Sequence, residues 1–313
     1  MPVLKRSARA FILALHHLAE RFGLHILPVH YYSPLPNRHA LAKTRDIWAR
    51  GSDMPGVDWN LDRQLTTLRT ILSQSPGESD GFDVYERATR EEFGPGFGPI
   101  EARVLYAVLR AVKPARVLEV GAGVSTAVSL AALARNGTGL VTCIEPYPRA
   151  VLRRLPVTLI ESPVQSVPLE TFTTLQAGDV LFVDSTHVVR VGGDVNYIVL
   201  EVLPRLSRGV LVHFHDIFLP FDHPPDFFAS LWSWTETSLV RAYLAGNRSV
   251  EVLFCLSALH YAHPSALAAI FPDYRPRMMV DGLFSDHQEP DTHFPASLWL
   301  RVDEELHTGP SRD

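Results

Sequence analysis

Four residues past the middle of the chain could do chemistry together: Asp184, His187, His215 and Asp216. They sit in two short runs, Asp184-Ser-Thr-His187 and His213-Phe-His215-Asp216, each directly after an apolar stretch. Carboxylate oxygens and imidazole nitrogens are divalent-metal ligands. Asp184, His215 and Asp216 are therefore one candidate metal set, for Mg, Mn or Fe. The same residues also read without a metal. His187 or His215 then acts as a general base, oriented and made more basic by Asp184 or Asp216. His213 carries a plainer expectation, that of a buried core histidine.

A second set lies upstream, in Glu119-Val-Gly121-Ala122-Gly123-Val-Ser125-Thr126. Gly121 permits a tight turn, and Gly123 lets a ligand approach the backbone. A helix starting there offers unpaired N–H groups. A dinucleotide-binding turn would want a third glycine where Thr126 stands. An acid opening the loop, with no third glycine, suits a ligand without a pyrophosphate, such as a methionine-type cation carrying a carboxylate. Glu145 follows Gly121 by 24 residues, about where a ribose-binding acid belongs. Its carboxylate can accept from both ribose hydroxyls, and Pro146 stands beside it. Gln165, in Ser162-Pro-Val-Gln165, offers an amide able to read an adenine edge.

These residues act together only if the elements bring them together. Apolar strands are expected at 116–120, 140–145, 157–161, 179–184, 209–214, 250–256 and 297–302. Helices are expected at 125–135, 194–206 and 227–244. Such alternation implies βαβ units and a parallel sheet. The strands are almost continuously apolar, so both faces of the sheet should be covered. Ligands in such sheets bind at the carboxyl ends of the strands, where both sets of residues stand. Before the sheet, residues 1–27 read as one helix and 28–60 as irregular, with helical period at 61–74 and 100–112. Residues 75–81 read as a loop.

Composition bounds the rest. The chain has 313 residues, 46% hydrophobic and 20% charged, with 34 acids against 29 Lys and Arg for a net charge of −5. That excludes a disordered chain and argues against nucleic-acid binding by bulk charge. Two cysteines, Cys143 and Cys255, cannot form a disulfide framework and fit a reducing compartment. The apolar stretch from Ala10 to Leu18 is too short to span a bilayer. Lys5, Arg6 and Arg9 precede it, but no small-residue cleavage site follows. The expectation is a cytoplasmic protein without membrane partners.

Taken together, the motifs resemble the class I S-adenosylmethionine-dependent methyltransferases. More narrowly, they resemble a bacterial small-molecule group, through VLEVGAGVST at 117–126, CIEPYP at 143–148, VLFVDSTH at 180–187 and GVLVHFHDIFLP at 209–220. PVHYYSPLPN at 28–37 and SLWLRV at 297–302 extend the likeness. The resemblance implies a Rossmann-like α/β fold with a mostly parallel seven-stranded sheet, its last strand antiparallel, and an N-terminal helical and irregular cap. It implies that Glu119, Gly121, Ala122, Gly123, Ser125 and Thr126 surround the methionine part of the cofactor and that Glu145 holds the ribose. Asp184 would face the sulfonium and the reacting oxygen. In the metal-assisted relatives, acids after strands four and five hold a divalent cation. Asp184 and Asp216 match them, while His215 departs from the usual carboxylate or amide.

The expected organisation is a cap or lid over 1–94, a methyltransferase domain over 95–303 and a frayed tail over 304–313. Tyr31, Tyr32, Trp48 and Trp59 of the cap are candidates to line an acceptor pocket. The expected reaction is methyl transfer to an oxygen of a small molecule, a sugar or secondary metabolite. Asp184, His187 and His215 are its candidate catalytic residues. Two rivals stand beside it: a non-haem iron oxygenase on the same fold, and a non-catalytic scaffold. The acceptor and the oligomeric state are left open.

Overall fold

The computed structural model describes residues 2–74, 82–91, 93–94, 96–285 and 291–303. The expected loop at 75–81, the expected domain start at Pro95 and the expected tail at 304–313 fall outside these residues. The chain divides into two compact units, Met1–Trp48 and Ala49–Asp313. The first holds α1 (Pro2–Glu20) and two short helices, α2 (Arg38–Lys43) and α3 (Arg45–Trp48). Residues 28–60 were expected to be irregular; Asn37 caps α2 inside that stretch, its Oδ1 accepting from Ala40 N–H at 3.1 Å.

The second unit opens with α4 (Leu61–Leu72), α5 (Phe82–Glu91) and α6 (Pro99–Val112). Its sheet contains β1 (Arg116–Val120), β2 (Leu140–Ile144), β3 (Thr158–Ile160), β4 (Val180–Val183), β5 (Leu211–Phe214), β6 (Val250–Cys255) and a last strand, Leu298–Val302. A small ribbon, β7 (Met279–Val280) with β8 (Leu283–Phe284), precedes that last strand, which is β9. The order is β3-β2-β1-β4-β5-β9-β6. β1 to β5 pair in parallel, and β9 runs antiparallel to both β5 and β6. This is the expected Rossmann-like sheet with an antiparallel last strand. The chain reverses direction across the sheet at the neighbours β1 and β4, which is where ligands bind in such folds.

Two cores explain why the strands read as continuous apolar runs. Val117, Val141, Cys143, Val180 and Phe182 point into one, together with α6 and α7 (Val124–Asn136). Leu118, Val120, Ile144, Leu181 and Val183 point into the other, with Val195, Ile198, Val199 and Val202. Successive residues of each strand alternate between the two. No helix among the described residues is long and apolar enough to cross a membrane.

The boundary expected near 94 meets a different division, because α4 packs into the sheet unit. Leu65 and Leu68 lie in its core. Gln64 is fully buried, and its Oε1 accepts the N–H of Cys255, where β6 ends, at 2.9 Å. Trp59 also packs against the second core.

Two expected helices are corrected. The helix expected over 227–244 forms only as α10 (Glu236–Leu244). Before it the chain is irregular, because the N–H groups of Thr235 and Glu236 donate to the carbonyl of His187 rather than to a preceding turn. The helix expected over 194–206 breaks into α9 (Asp194–Tyr197), a π turn at Ile198–Val202 and a 3-10 turn at Leu203–Arg205. Pro204 has no N–H to continue the α ladder there.

Candidate active site

The turn after β1 fixes the first wall. Gly121 has φ +80°, and a Cβ built on it would lie 1.8 Å from the carbonyl oxygen of Asp184. Only glycine lets the β1 turn lie this close to the end of β4. Asp184 N–H in turn donates to Val120 O at 2.9 Å. Above Gly123 the space is open: a Cβ there would meet nothing within 4 Å.

A cavity of about 210 Å³ stands over this turn. Gly121, Ala122, Gly123 and the first residues of α7, Val124 and Ser125, form its floor, with Glu145 and Asp184 at its sides. Glu145 is held as a wall. Its Oε1 accepts from Tyr147 N–H at 2.8 Å and its Oε2 from Ala122 N–H at 3.3 Å. Phe93, Gly94, Gly96, Phe97 and Arg149 complete the cavity. None of these five was a candidate site residue from the sequence; the signal that could have found the first four was small residues interleaved with Phe93 and Phe97 directly before a helix.

Glu119 and Thr126 sit beneath the cavity rather than on it; both are fully buried. Ser125 Oγ donates to Glu119 Oε1 at 2.5 Å, and Thr126 Oγ1 donates to Oε2 at 2.7 Å. Thr126 Oγ1 also accepts from Gly123 N–H at 3.1 Å. Glu119 thus ties the start of α7 to β1. Burial pushes its carboxyl up to about 7, against the two hydroxyls that stabilise the ionised form. Pro146 is exposed, and Gln165 donates its amide to Gly192 O at 3.2 Å. Neither lines the cavity.

The strand-end histidines form the other half of the site. His187 Nδ1–H donates to Glu236 Oε2 at 2.7 Å, and His187 Nε2 lies 3.3 Å from Asp184 Oδ1 and 3.8 Å from Asp216 Oδ2. Three carboxylates therefore surround one imidazole. Burial works against charge on His187, but its bonds to Asp184 and Glu236 outweigh it and hold the ring well above the ordinary histidine range. Burial likewise raises Asp184, yet His215 and His187 hold it below the usual carboxylate range. From the sequence, Trp234-Thr-Glu236-Thr-Ser238 resembles part of a W-N-E-Q-Y run of the same bacterial small-molecule group, which implied substrate contact and no catalytic role for Glu236. Its partner His187 lies 49 residues away. His187 and Asp216 both have left-handed backbone, φ 59° and 53°. Such conformations cost side-chain-bearing residues free energy and persist where the surroundings enforce them.

His215 is buried, its ring against Phe97 at 5.0 Å and its Nε2 3.6 Å from Asp216 Oδ1. Burial lowers its proton affinity, but Asp216, Asp184 and Glu101 raise it further. His213 stacks on Phe182 at 4.1 Å with Nε2 3.0 Å from Ser297 Oγ, and burial holds it well below the ordinary range. It is a neutral core histidine. Asp184, His215 and Asp216 do not close into a three-ligand group. Among the described residues the group whose ligand atoms converge tightly enough for an ion lies elsewhere, in α1 and the turn after it. Asp184 Oδ1 and Asp216 Oδ2 instead both face His187 Nε2, at 3.3 Å and 3.8 Å.

The geometry can be set beside known proteins. Residues 118–217 match the family model described as Methyltransferase domain. The matched stretch runs from β1 past Asp216 and so contains the turn, Glu145, Asp184 and His187. An uncharacterized protein of Archaeoglobus fulgidus is 29% identical over 165 residues, covering 48% of this chain and 73% of that protein. The chain is also similar to TomG, an O-methyltransferase from Streptomyces achromogenes involved in tomaymycin synthesis and solved with SAM. There the identity is 15%, the coverage 79% of this chain and 100% of the other, and the TM-score 0.42. For the SAH-bound methyltransferase PaMTH1 of Podospora anserina the values are 16% identity, coverage 87% and 99%, and TM-score 0.35.

The residues present are of the kinds S-adenosylmethionine would need: the space above Gly123 is open against the backbone, Glu145 offers carboxylate oxygens as acceptors, and Arg149 puts a guanidinium in the same wall, the partner a carboxylate takes.

Proposed function

We propose that the chain is an S-adenosylmethionine-dependent methyltransferase that methylates a hydroxyl oxygen of a small molecule, a sugar or secondary metabolite. One observation carries the reading: Asp184 belongs both to the cavity wall and to the carboxylate–imidazole–carboxylate chain Asp184–His187–Glu236. Cofactor cavity and proton-handling group therefore share a residue. The match over 118–217 supports it.

The bound cofactor supplies an electrophilic methyl group. The protein supplies position and a place for the proton. Gly121 to Ser125 and Glu145 hold the cofactor on a rigid floor, and positioning of this kind removes much of the barrier to an in-line displacement. Asp184 lies between the cavity and His187, so an acceptor hydroxyl reaching it can pass its proton to the Asp184–His187 pair. Within that pair the Asp184 carboxylate is the accepting group, with His187 Nε2 3.3 Å from its Oδ1. Glu236 holds the ring orientation from behind. His215 acts one step back, through Asp216. The iron-oxygenase reading finds no three-ligand group at the strand ends among the described residues.

Calorimetric titration with S-adenosylmethionine and its demethylated product, with and without EDTA, tests this reading. Micromolar binding, weakened at least tenfold in Glu145→Ala and unchanged by EDTA, is expected. Absence of binding to either ligand would sink the cofactor assignment and favour a scaffold.

A further inference from the structure

The last turn of α1 carries His16 and Glu20, four residues apart and so on one face of the helix. The helix ends in a tight reversal. Gly23 adopts φ +72°, Gly23 N–H donates to Glu20 O at 3.0 Å and Leu24 N–H to Ala19 O at 3.0 Å. This left-handed stop turns the chain back along the helix. His25 then stacks on His16, with ring centroids 5.6 Å apart and 26° between planes.

Three donor atoms meet as a result. Glu20 Oε1 lies 3.2 Å from His16 Nε2 and 3.7 Å from His25 Nδ1, and the group's ligand atoms all lie within 4.8 Å of one another. Donors about 2.1 Å from a tetrahedral ion stand about 3.4 Å from each other. The observed spacings are close to that. The supporting contacts are also in place. His16 Nδ1–H donates to Ile26 O at 3.1 Å, which leaves the lone pair on Nε2, the atom nearest Glu20. His17 Nδ1 lies 3.2 Å from Glu20 Oε2 and so fixes the other carboxylate oxygen.

We propose that His16, Glu20 and His25 form a binding site for a divalent transition ion of the zinc class. Two imidazole nitrogens and one carboxylate oxygen select zinc, cobalt or nickel over calcium or magnesium, which take oxygen ligands. Three protein donors leave a tetrahedral ion one place for water. The ion would clasp the end of α1 to the segment that folds back on it. The site lies wholly within the first compact unit and does not depend on the methyltransferase reading.

The test uses the full chain, stripped with EDTA and dialysed free of it. Zn²⁺ binding is followed by calorimetry and Co²⁺ binding by visible absorption. One ion per chain is expected, with ligand-field bands for Co²⁺. Affinity should fall at least tenfold in His16→Ala/His25→Ala and in Glu20→Gln, which keeps the side-chain shape, and should be retained in Asp184→Asn. Hydrogen exchange at residues 22–26 should slow with Zn²⁺ in the unsubstituted protein alone. Absence of binding, binding that survives the double substitution, or binding that follows Asp184 instead would overturn the proposal.

Discussion

Gly121 is the residue with least freedom in the site. Gly121→Ala would place a methyl group against the carbonyl of Asp184 in a backbone region that side chains avoid. A loss of more than about 2 kcal/mol of stability is expected, together with loss of cofactor binding. A urea melt and a cofactor titration of the same sample measure both. Glu119 gives a pH signature. Its carboxyl sits at about 7 in the folded protein against an ordinary 4.5. The folded state holds that proton more tightly than the unfolded chain. Its stabilisation is therefore full below pH 4.5 and drains away as pH rises toward 7. Comparing wild type with Glu119→Gln by urea melts across that window should show the difference changing by about 3 kcal/mol. A flat difference would mean that Glu119 stays ionised. Glu236 belongs to turnover rather than binding. Glu236→Gln should lower kcat roughly 10²-fold with the cofactor Kd unchanged; an equal loss in both would make it merely structural. The sequence marks Gly121, Glu145 and Asp184 because each follows a strand in a short motif. It places Glu236 only in a partial W-N-E-Q-Y run, without its partner, because the contact with His187 is made across the fold.

Among elements, the strands were the most legible. A sheet covered on both faces demands continuous apolar runs, and β1, β4 and β5 supply them. The helices that follow β4 and β5 were the least legible. Residues 227–235 carry enough apolar and aromatic side chains to read as helix, yet His187's carbonyl takes the N–H groups of Thr235 and Glu236. Trp234 packs on the His187 ring, centroids 4.7 Å apart. Local pattern cannot register a partner that distant. The tie between α4 and the end of β6 is of the same kind, made by one buried amide. Gln64→Leu would leave the N–H of Cys255 buried without an acceptor. A loss of about 2 kcal/mol by urea melt is expected, and a neutral result would remove α4 from the core argument.

For the whole molecule, the division after Trp48 makes a statement about autonomy. A chain beginning at Ala49 should melt cooperatively, because α4 brings Leu65 and Leu68 to the core it completes. A chain beginning after residue 94 should not, since it exposes the apolar surface those residues cover. Calorimetry of the two truncations distinguishes them. Tyr31 and Tyr32, candidates for an acceptor pocket, are 90% and 84% exposed and belong to the first unit.

The contact between Gly121 and Asp184 also sets where this protein can change. Backbone abuts backbone there, so the floor of the cavity and the Asp184 carboxylate at its side move as one body. A population of variants exploring new acceptors would find that region closed to drift. The irregular stretch from Phe227 to Trp234 imposes no such lock. It bears exposed Leu231 and Trp232 and ends at Trp234, which packs on the His187 ring. Selection for a new acceptor would be expected to concentrate its substitutions there and to leave the β1 and β4 ends untouched.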